Sequence, residues 1–373
     1  MDNFANKYKD AVLAFNFDDF ILLPGFAKME PKDVKLGTRF SKNIKMNIPI
    51  VSSPMDTVTE ATMAIALARN GGMGVIHRNC STEEEVEMVK AVKNEQYSKE
   101  TYKNAVVDDQ GRLRVVAGIS PFDMERAKQL SKYADALLVD VAHFHNSNVI
   151  EAAKKISTET GSELVIGSFG TKDGVLDCVR KIENAGALRV GIGGGSICTT
   201  TDVTRAGSPA LFAVAQAADA LEEMGRSDIP IIADGGIRNA GDISLTAVFG
   251  ASSAMLGYAL AGCKESPSEI KMINDKQYKL HRGMGSHAAR AKRAALDRYG
   301  NAGKNLAEGV EMMIPYTGEV DDVVGDMLAG IRASIGYAGA EDMESMKKIA
   351  KVARVNYRNK SSNKAEDRKA ILI

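Results

Sequence analysis

The sequence predicts an α/β protein of the TIM or (β/α)₈ barrel class, and three observations carry that prediction. Eight short apolar runs recur along the chain, separated by amphipathic stretches at helical spacing and by connections of ordinary length. Glycine-rich and polar motifs fall at the C-terminal ends of successive runs, where a parallel barrel carries its active site. The 373 residues hold one barrel of about 250 residues plus insertions, so a single catalytic domain over 1–373 is expected.

In order, Ile48–Ser53 reads as the first buried strand, and Thr59 or Glu60 opens the helix Ala61–Arg69, closed by Asn70-Gly-Gly. Met73–His77 is the second strand, and Ser81 with Glu84 makes a capping box for the helix Glu83–Asn94. Leu113–Gly118, Ala136–Asp140 and Leu164–Gly167 follow as strands, with helices over Asp123–Tyr133, Val149–Ser157 and Lys172–Asn184. Leu188–Ile192 precedes the helix Ala210–Met224, and Ile229–Ala233 and Ala254–Gly257 complete the set. Beyond the last strand, residues 286–320 are glycine-bearing and polar, which suggests a mobile flap over the site. Asp321–Ser334 reads as a closing helix, and the polar, charged stretch 356–373 as a flexible tail.

Composition narrows the partners. Lys+Arg 48 balances Asp+Glu 48, so nothing supplies the electrostatic affinity for nucleic acid that a basic domain has; a small ligand is expected. No apolar run reaches the ~18 residues that span a bilayer. Cys80, Cys178, Cys198 and Cys263 are scattered without a Cys-x-x-Cys pair, and no signal-peptide pattern opens the chain, which fits a reducing cytoplasm.

Chemistry concentrates in Val190–Thr201. Gly191, Gly193, Gly194 and Gly195 let the backbone approach a ligand closely, and the bared N–H groups with the Ser196 hydroxyl suit an anion. Cys198 follows on the same loop, where a thiol reads either as a covalent nucleophile or as an inert buried residue. His143 and His145 stand at i, i+2 with no third ligand nearby, so no zinc is assigned.

Four motifs in this order, Val51-Ser-Ser-Pro-Met-Asp-Thr-Val-Thr-Glu60, Gly191-Ile-Gly-Gly-Gly-Ser-Ile-Cys-Thr199, Ile232-Ala-Asp-Gly-Gly-Ile237 and Arg282-Gly-Met-Gly-Ser286, resemble the IMP dehydrogenase and GMP reductase family over nearly the whole chain. The resemblance implies that Cys198 attacks purine C2 of a nucleoside monophosphate while a nicotinamide cofactor exchanges the hydride, with Thr200 beside it. It implies that Ser53, Ser196, Asp234, Gly236, Gly257, Tyr258, His281, Gly283, Met284, Gly285 and Glu308 hold the nucleotide, Asp234 on the ribose hydroxyls. Asp140, Ser168 and Gly191 would face NAD, and the carbonyls of Gly193, Gly195 and Cys198 match a monovalent-cation loop filled by potassium. A homotetramer is implied as well.

Within the family, Arg298-Tyr299 and Glu308-Gly-Val match the flap that activates water in IMP dehydrogenases, which oxidise IMP to XMP with NAD⁺. GMP reductases instead resemble one another in a Ser-Ser-Glu where this chain has Gly285-Ser286-His287, and that glutamate works with a threonine on ammonia. The dehydrogenase is therefore expected, with the NADPH-dependent reductase, or a purine-nucleotide-binding barrel without turnover, as alternatives. Ser168, Tyr258 and His281 depart from the family pattern: Ser168 shortens a nicotinamide contact, Tyr258 crowds the phosphate, and His281 replaces a tyrosine, donating more strongly if protonated. The regulatory pair of CBS modules usually inserted after the second helix in the family is expected to be absent, since only Glu95–Gln110 joins that helix to the third strand.

Overall fold

The computed structural model describes residues 4–286, Ala289, Ala291 and 308–355. Eight parallel strands close into a barrel: β1 (Ile50–Ser52), β2 (Met73–Ile76), β3 (Val116–Ile119), β4 (Ala136–Val139), β5 (Leu164–Phe169), β6 (Ala185–Val190), β7 (Ile231–Asp234) and β8 (Ser253–Leu256), with β8 pairing back onto β1. Around them run α1 (Ala61–Asn70), α2 (Thr82–Asn94), α3 (Met124–Leu130), α4 (Ser147–Thr160), α5 (Lys172–Lys181), α6 (Ala210–Glu223), α7 (Ala240–Val248) and α8 (Val320–Tyr337). Packing of α8 against α7 and α1 completes the ring. Each expected apolar run holds one strand.

Strand periodicity explains the two cores. In β4, Leu137 and Val139 face the helices while Ala136 and Leu138 fill the barrel; in β6, Leu188 and Val190 face out and Ala187 faces in. The interior also takes Phe40, Ile44 and Met46 from a hairpin of Thr38–Arg39 on Lys45–Met46, which closes the end where the strands begin. Lys42 N–H there donates to the Gly186 carbonyl at 2.9 Å. One step beyond this inner layer, at the strands' C-terminal ends, the same alternation delivers Asp140, Arg189 and Asp234 to the barrel mouth.

Local signals act as the sequence implies. Ser81 and Glu84 form the reciprocal capping box, at 3.1 Å and 2.8 Å, worth about 1 kcal/mol. The connection from α2 to β3 packs beside the strand starts, where Val106 N–H donates to the Ala68 carbonyl at 2.8 Å. Lys93 anchors it through Asp108 at 3.2 Å and Asp135 at 2.6 Å. Among the described residues no helix is long and apolar enough to cross a membrane.

Three features lay outside the sequence reading: α7, whose Asn239 cap accepts from Asp242 N–H; an outer antiparallel sheet of Ile270–Ile273, Lys276–Arg282 and Glu311–Pro315; and Phe20–Leu23 paired with Lys351–Arg354. The outer sheet turns at Asn274 and Asp275, both at positive φ, the conformation a two-residue hairpin turn requires. It also anchors part of the segment expected as the flap, because Glu311–Pro315 is a strand and α8 begins at Val320. Of 286–320, only Ser286, Ala289, Ala291 and residues from 308 onward are described; the tail 356–373 lies outside the described residues.

Candidate active site

The cavity at the C-terminal mouth of the barrel is floored by the loop after β6. Gly191 starts it at φ +133°, and a Cβ there would lie 1.9 Å from the Asp234 carbonyl oxygen, so only glycine lets β6 and β7 end this close together. Three segments remote in sequence then knit by backbone bonds. Val310 N–H donates to the Ile197 carbonyl at 3.0 Å, Thr199 N–H to Glu308 at 3.2 Å, Gly283 N–H to Val310 at 3.0 Å and Glu308 N–H to Gly285 at 3.1 Å. The cysteine loop is thereby held between the Gly283–Gly285 turn and the strand that follows Glu308.

Within this frame the Cys198 thiol donates to Thr200 Oγ1 at 3.2 Å, and Thr200 donates to Glu308 Oε2 at 2.9 Å. Thiol, hydroxyl and buried carboxylate form one path along which a proton can leave sulfur. The other cysteines lack such surroundings: burial pushes Cys80 and Cys178 up to about 12 and Cys263 up to about 11, leaving them protonated and inert.

Arg189 projects into the same cavity from β6. Its Nε and Nη2 donate to Asp234 Oδ2 at 2.8 Å and 2.7 Å, and its Nη1 to Asp140 Oδ1 at 3.0 Å. Burial disfavours the guanidinium, but the two carboxylates outweigh it and keep it charged. Sequence reasoning passed over Arg189, although a charged residue inside an apolar strand was the available signal.

The remaining wall holds Ser53, Gly257, Tyr258, His281 and the turn Gly283–Gly285. His281 is 1% exposed, and burial pushes its imidazole down to about 4, so at neutral pH it is uncharged. The protonated form, which would donate more strongly, is the one this site disfavours. Thr57 Oγ1 accepts Arg282 N–H at 3.2 Å and lies 3.4 Å from His281 Nδ1; a proton offered from Thr57 assigns the ring's own hydrogen to Nε2. Tyr258 stands edge-on to this ring with centroids 6.1 Å apart. The Arg282 side chain does not line the cavity and is clamped on Asp56 through Nε at 3.0 Å.

Of the residues expected at the site, Ser53, Ser168, Gly191, Gly193, Gly195, Ser196, Cys198, Thr200, Asp234, Gly236, Gly257, Tyr258, His281, Gly283, Met284, Gly285 and Glu308 all line this one cavity. Asp140 does not reach its surface and stands behind Arg189, 1% exposed. Arg298 and Tyr299 lie outside the described residues. His143 and His145 have ring centroids 6.2 Å apart, His145 pairs with Asp177 at 3.0 Å, and no group of three metal-ligating side chains occurs among the described residues.

A family model described as IMP dehydrogenase / GMP reductase domain matches residues 14–365. The chain belongs to this family. An inosine-5'-monophosphate dehydrogenase of Korarchaeum cryptofilum is 38% identical, with 96% of this chain and 97% of that protein covered. Proteins of the same name from Borreliella burgdorferi and Cryptosporidium parvum are 39% and 37% identical, covering 92% and 88% of this chain and 94% and 89% of their own lengths. The Korarchaeum alignment runs over 466 positions, so that family member carries a long segment absent from this 373-residue chain. The Borreliella and Cryptosporidium alignments, over 387 and 364 positions, leave no room for one of that size. Among the described residues no CBS module interrupts the barrel, where α2 passes to β3 through the short anchored connection.

Proposed function

We propose that this family member oxidises inosine monophosphate to xanthosine monophosphate with NAD⁺ through a covalent bond from Cys198 to purine C2. The observation that carries this is the Cys198–Thr200–Glu308 path. As sulfur bonds C2, its proton passes to Thr200 while the Thr200 proton passes to Glu308, and the hydrogen on C2 departs as hydride. Water then adds to C2, sulfur leaves, and the sum is IMP, NAD⁺ and water giving XMP, NADH and a proton. Arg298 with Tyr299 is the proposed activator of that water, whose released proton passes to solvent, while Glu308 returns its proton through Thr200 to the departing sulfur.

Asp234 suits the ribose: Arg189 occupies Oδ2, which leaves Oδ1 for the hydroxyls. Ser53, Ser196 and the N–H groups of Gly236, Gly257, Met284 and Gly285 suit the phosphate and base, with Gly283 turning the chain there and Tyr258 and His281 bordering them. The small residues Ala142, Ser168 and Gly191 fit a flat ring beside Cys198, so they would hold the nicotinamide end of NAD⁺ with Asp140 behind; when bound, the cofactor supplies the hydride acceptor. A donor set of carbonyls from Gly193, Gly195 and Cys198 suits a hard monovalent cation such as potassium, although the Gly195 oxygen already accepts Cys198 N–H at 3.1 Å.

The reductase reading keeps one supporting observation. The glutamate missing beside Ser286 counted against it, yet Glu308 places a carboxylate on Thr200 from elsewhere in the chain. Incubation with IMP and NAD⁺ in potassium buffer is expected to form NADH, and Cys198→Ala to form none. Consumption of NADPH with GMP would move the assignment to the reductase, and tight nucleotide binding without either reaction would leave a binding barrel.

A further inference from the structure

A single buried guanidinium touches the Asp234 carboxylate, given above to the nucleotide, and the Asp140 carboxylate, which stands behind the residues given to the cofactor. Arg189 is 4% exposed and divides its N–H groups between Asp234, on β7, and Asp140, just past β4. All three sit one step above the packed inner layer, each at or beside the end of its own strand. Stability does not call for such a trio, because the strands are already paired in register and packed against two apolar cores. Buried ion pairs of this kind are replaceable by apolar residues at little cost, so their presence at a barrel mouth points to the ligands.

A guanidinium is a rigid planar fork, so a rotation that improves its bonds to one carboxylate lengthens those to the other. A ribose drawing on the Asp234 carboxylate therefore shifts the share of Arg189 left to Asp140, and a cofactor pressing on Arg189 from the wall that Asp140 backs acts in reverse. Asp140 is otherwise approached by Arg78, whose Nη2 donates to its carbonyl oxygen at 3.2 Å and whose Nε lies 3.6 Å from Oδ2.

We propose that Arg189 is a positioning residue that couples nucleotide binding to cofactor binding through its divided contact with Asp234 and Asp140. The proposal rests on the reading that Asp234 takes the nucleotide and that the cofactor sits against the wall that Asp140 backs. Its measure is a ratio: the affinity for NAD⁺ with IMP bound over that without IMP, which linkage requires to equal the reciprocal effect on IMP.

The test uses the full chain carrying Cys198→Ala, so that both ligands bind without reacting, and titrates NAD⁺ by calorimetry with and without saturating IMP. The parent is expected to show a ratio of about tenfold, within the range usual for coupled sites. In Arg189→Lys, one ammonium cannot bond both carboxylates as the fork does, and the ratio falls towards one; Arg189→Met is expected to do the same. A merely structural Arg189 would weaken each ligand and leave the ratio intact. Should Arg189→Met fail to fold, Arg189→Lys keeps a cation in place and decides the matter. A ratio that survives in Arg189→Lys, or a parent in which the ligands bind independently, overturns the coupling. A parent that binds neither ligand overturns the functional reading beneath it.

Discussion

Acid should destabilise this protein through His281, and the effect can be worked from its surroundings. The ring is 1% exposed, Asp56 is the charge that favours its protonation, and burial wins, holding the imidazole down at about 4. In the unfolded chain a histidine titrates near 6.5, so between these values the unfolded state binds a proton that the folded state refuses. The sign follows: stability from a neutral His281 is full above about pH 6.5 and is lost as pH falls towards 4. At 1.36 kcal/mol per unit, the loss is about 2 kcal/mol by pH 5 and approaches about 3 kcal/mol below pH 4. That is a large share of the roughly 5–15 kcal/mol that holds a domain folded. Urea unfolding followed from neutral pH to about pH 5, on the parent and on His281→Gln, isolates this histidine, because other titrating groups contribute to both. The parent should fall more steeply by about 2 kcal/mol. A bound nucleotide phosphate, by favouring the imidazolium, should shrink the difference. Parallel curves for the two proteins would refute the reasoning.

Other substitutions address the chemistry. Glu308→Gln keeps an acceptor for the Thr200 hydroxyl but not for a proton, so kcat should drop by roughly 10²-fold or more with nucleotide affinity little changed; steady-state rates equal to the parent's would remove Glu308 from the path. Asp234→Asn should weaken binding of IMP by about ten- to a hundredfold yet narrow its advantage over 2'-deoxy-IMP, since a charge-assisted bond to the diol is worth about 1.5–3 kcal/mol; an unchanged preference in calorimetry would place the ribose elsewhere. Arg298→Ala should leave a burst of NADH near one per site while steady turnover slows roughly 10²–10⁴-fold, with the purine nucleotide trapped on Cys198. Rapid mixing that shows parent-like turnover would make Arg298 a surface residue.

The barrel was legible because its signal is redundant. Eight apolar runs, each ending in glycine or polar residues, specify strands by length and alternation, and a miss at one boundary does not disturb the rest. The Ser81–Glu84 box and the Asn70-Gly-Gly stop were equally plain. The outer sheet was not, since Ile270–Ile273 is exposed throughout and the central Lys276–Arg282 takes its second partner from the remote Glu311–Pro315, so no local burial pattern marks it. Most of the cavity followed from motifs at strand ends. What escaped is what depends on distance: that Glu308 reaches Thr200 across more than a hundred residues of sequence, and that Arg189 links two carboxylates from other strands.

The placement of the connection between α2 and β3 bears on how the family diversifies. That connection lies where the strands begin, bonded to Ala68 and anchored by Lys93, while Cys198, Thr200 and Glu308 occupy the opposite rim. A barrel's two rims are separated by its packed interior, so a segment gained or lost at one leaves the geometry at the other intact. The Korarchaeum relative, with its long extra segment, and this chain without one still share 38% identity across nearly their whole lengths. The rim that holds this connection is thus structurally independent of the rim that holds the cysteine, and a graft of a foreign sensor between Asn94 and Leu113 is the engineering use of that independence.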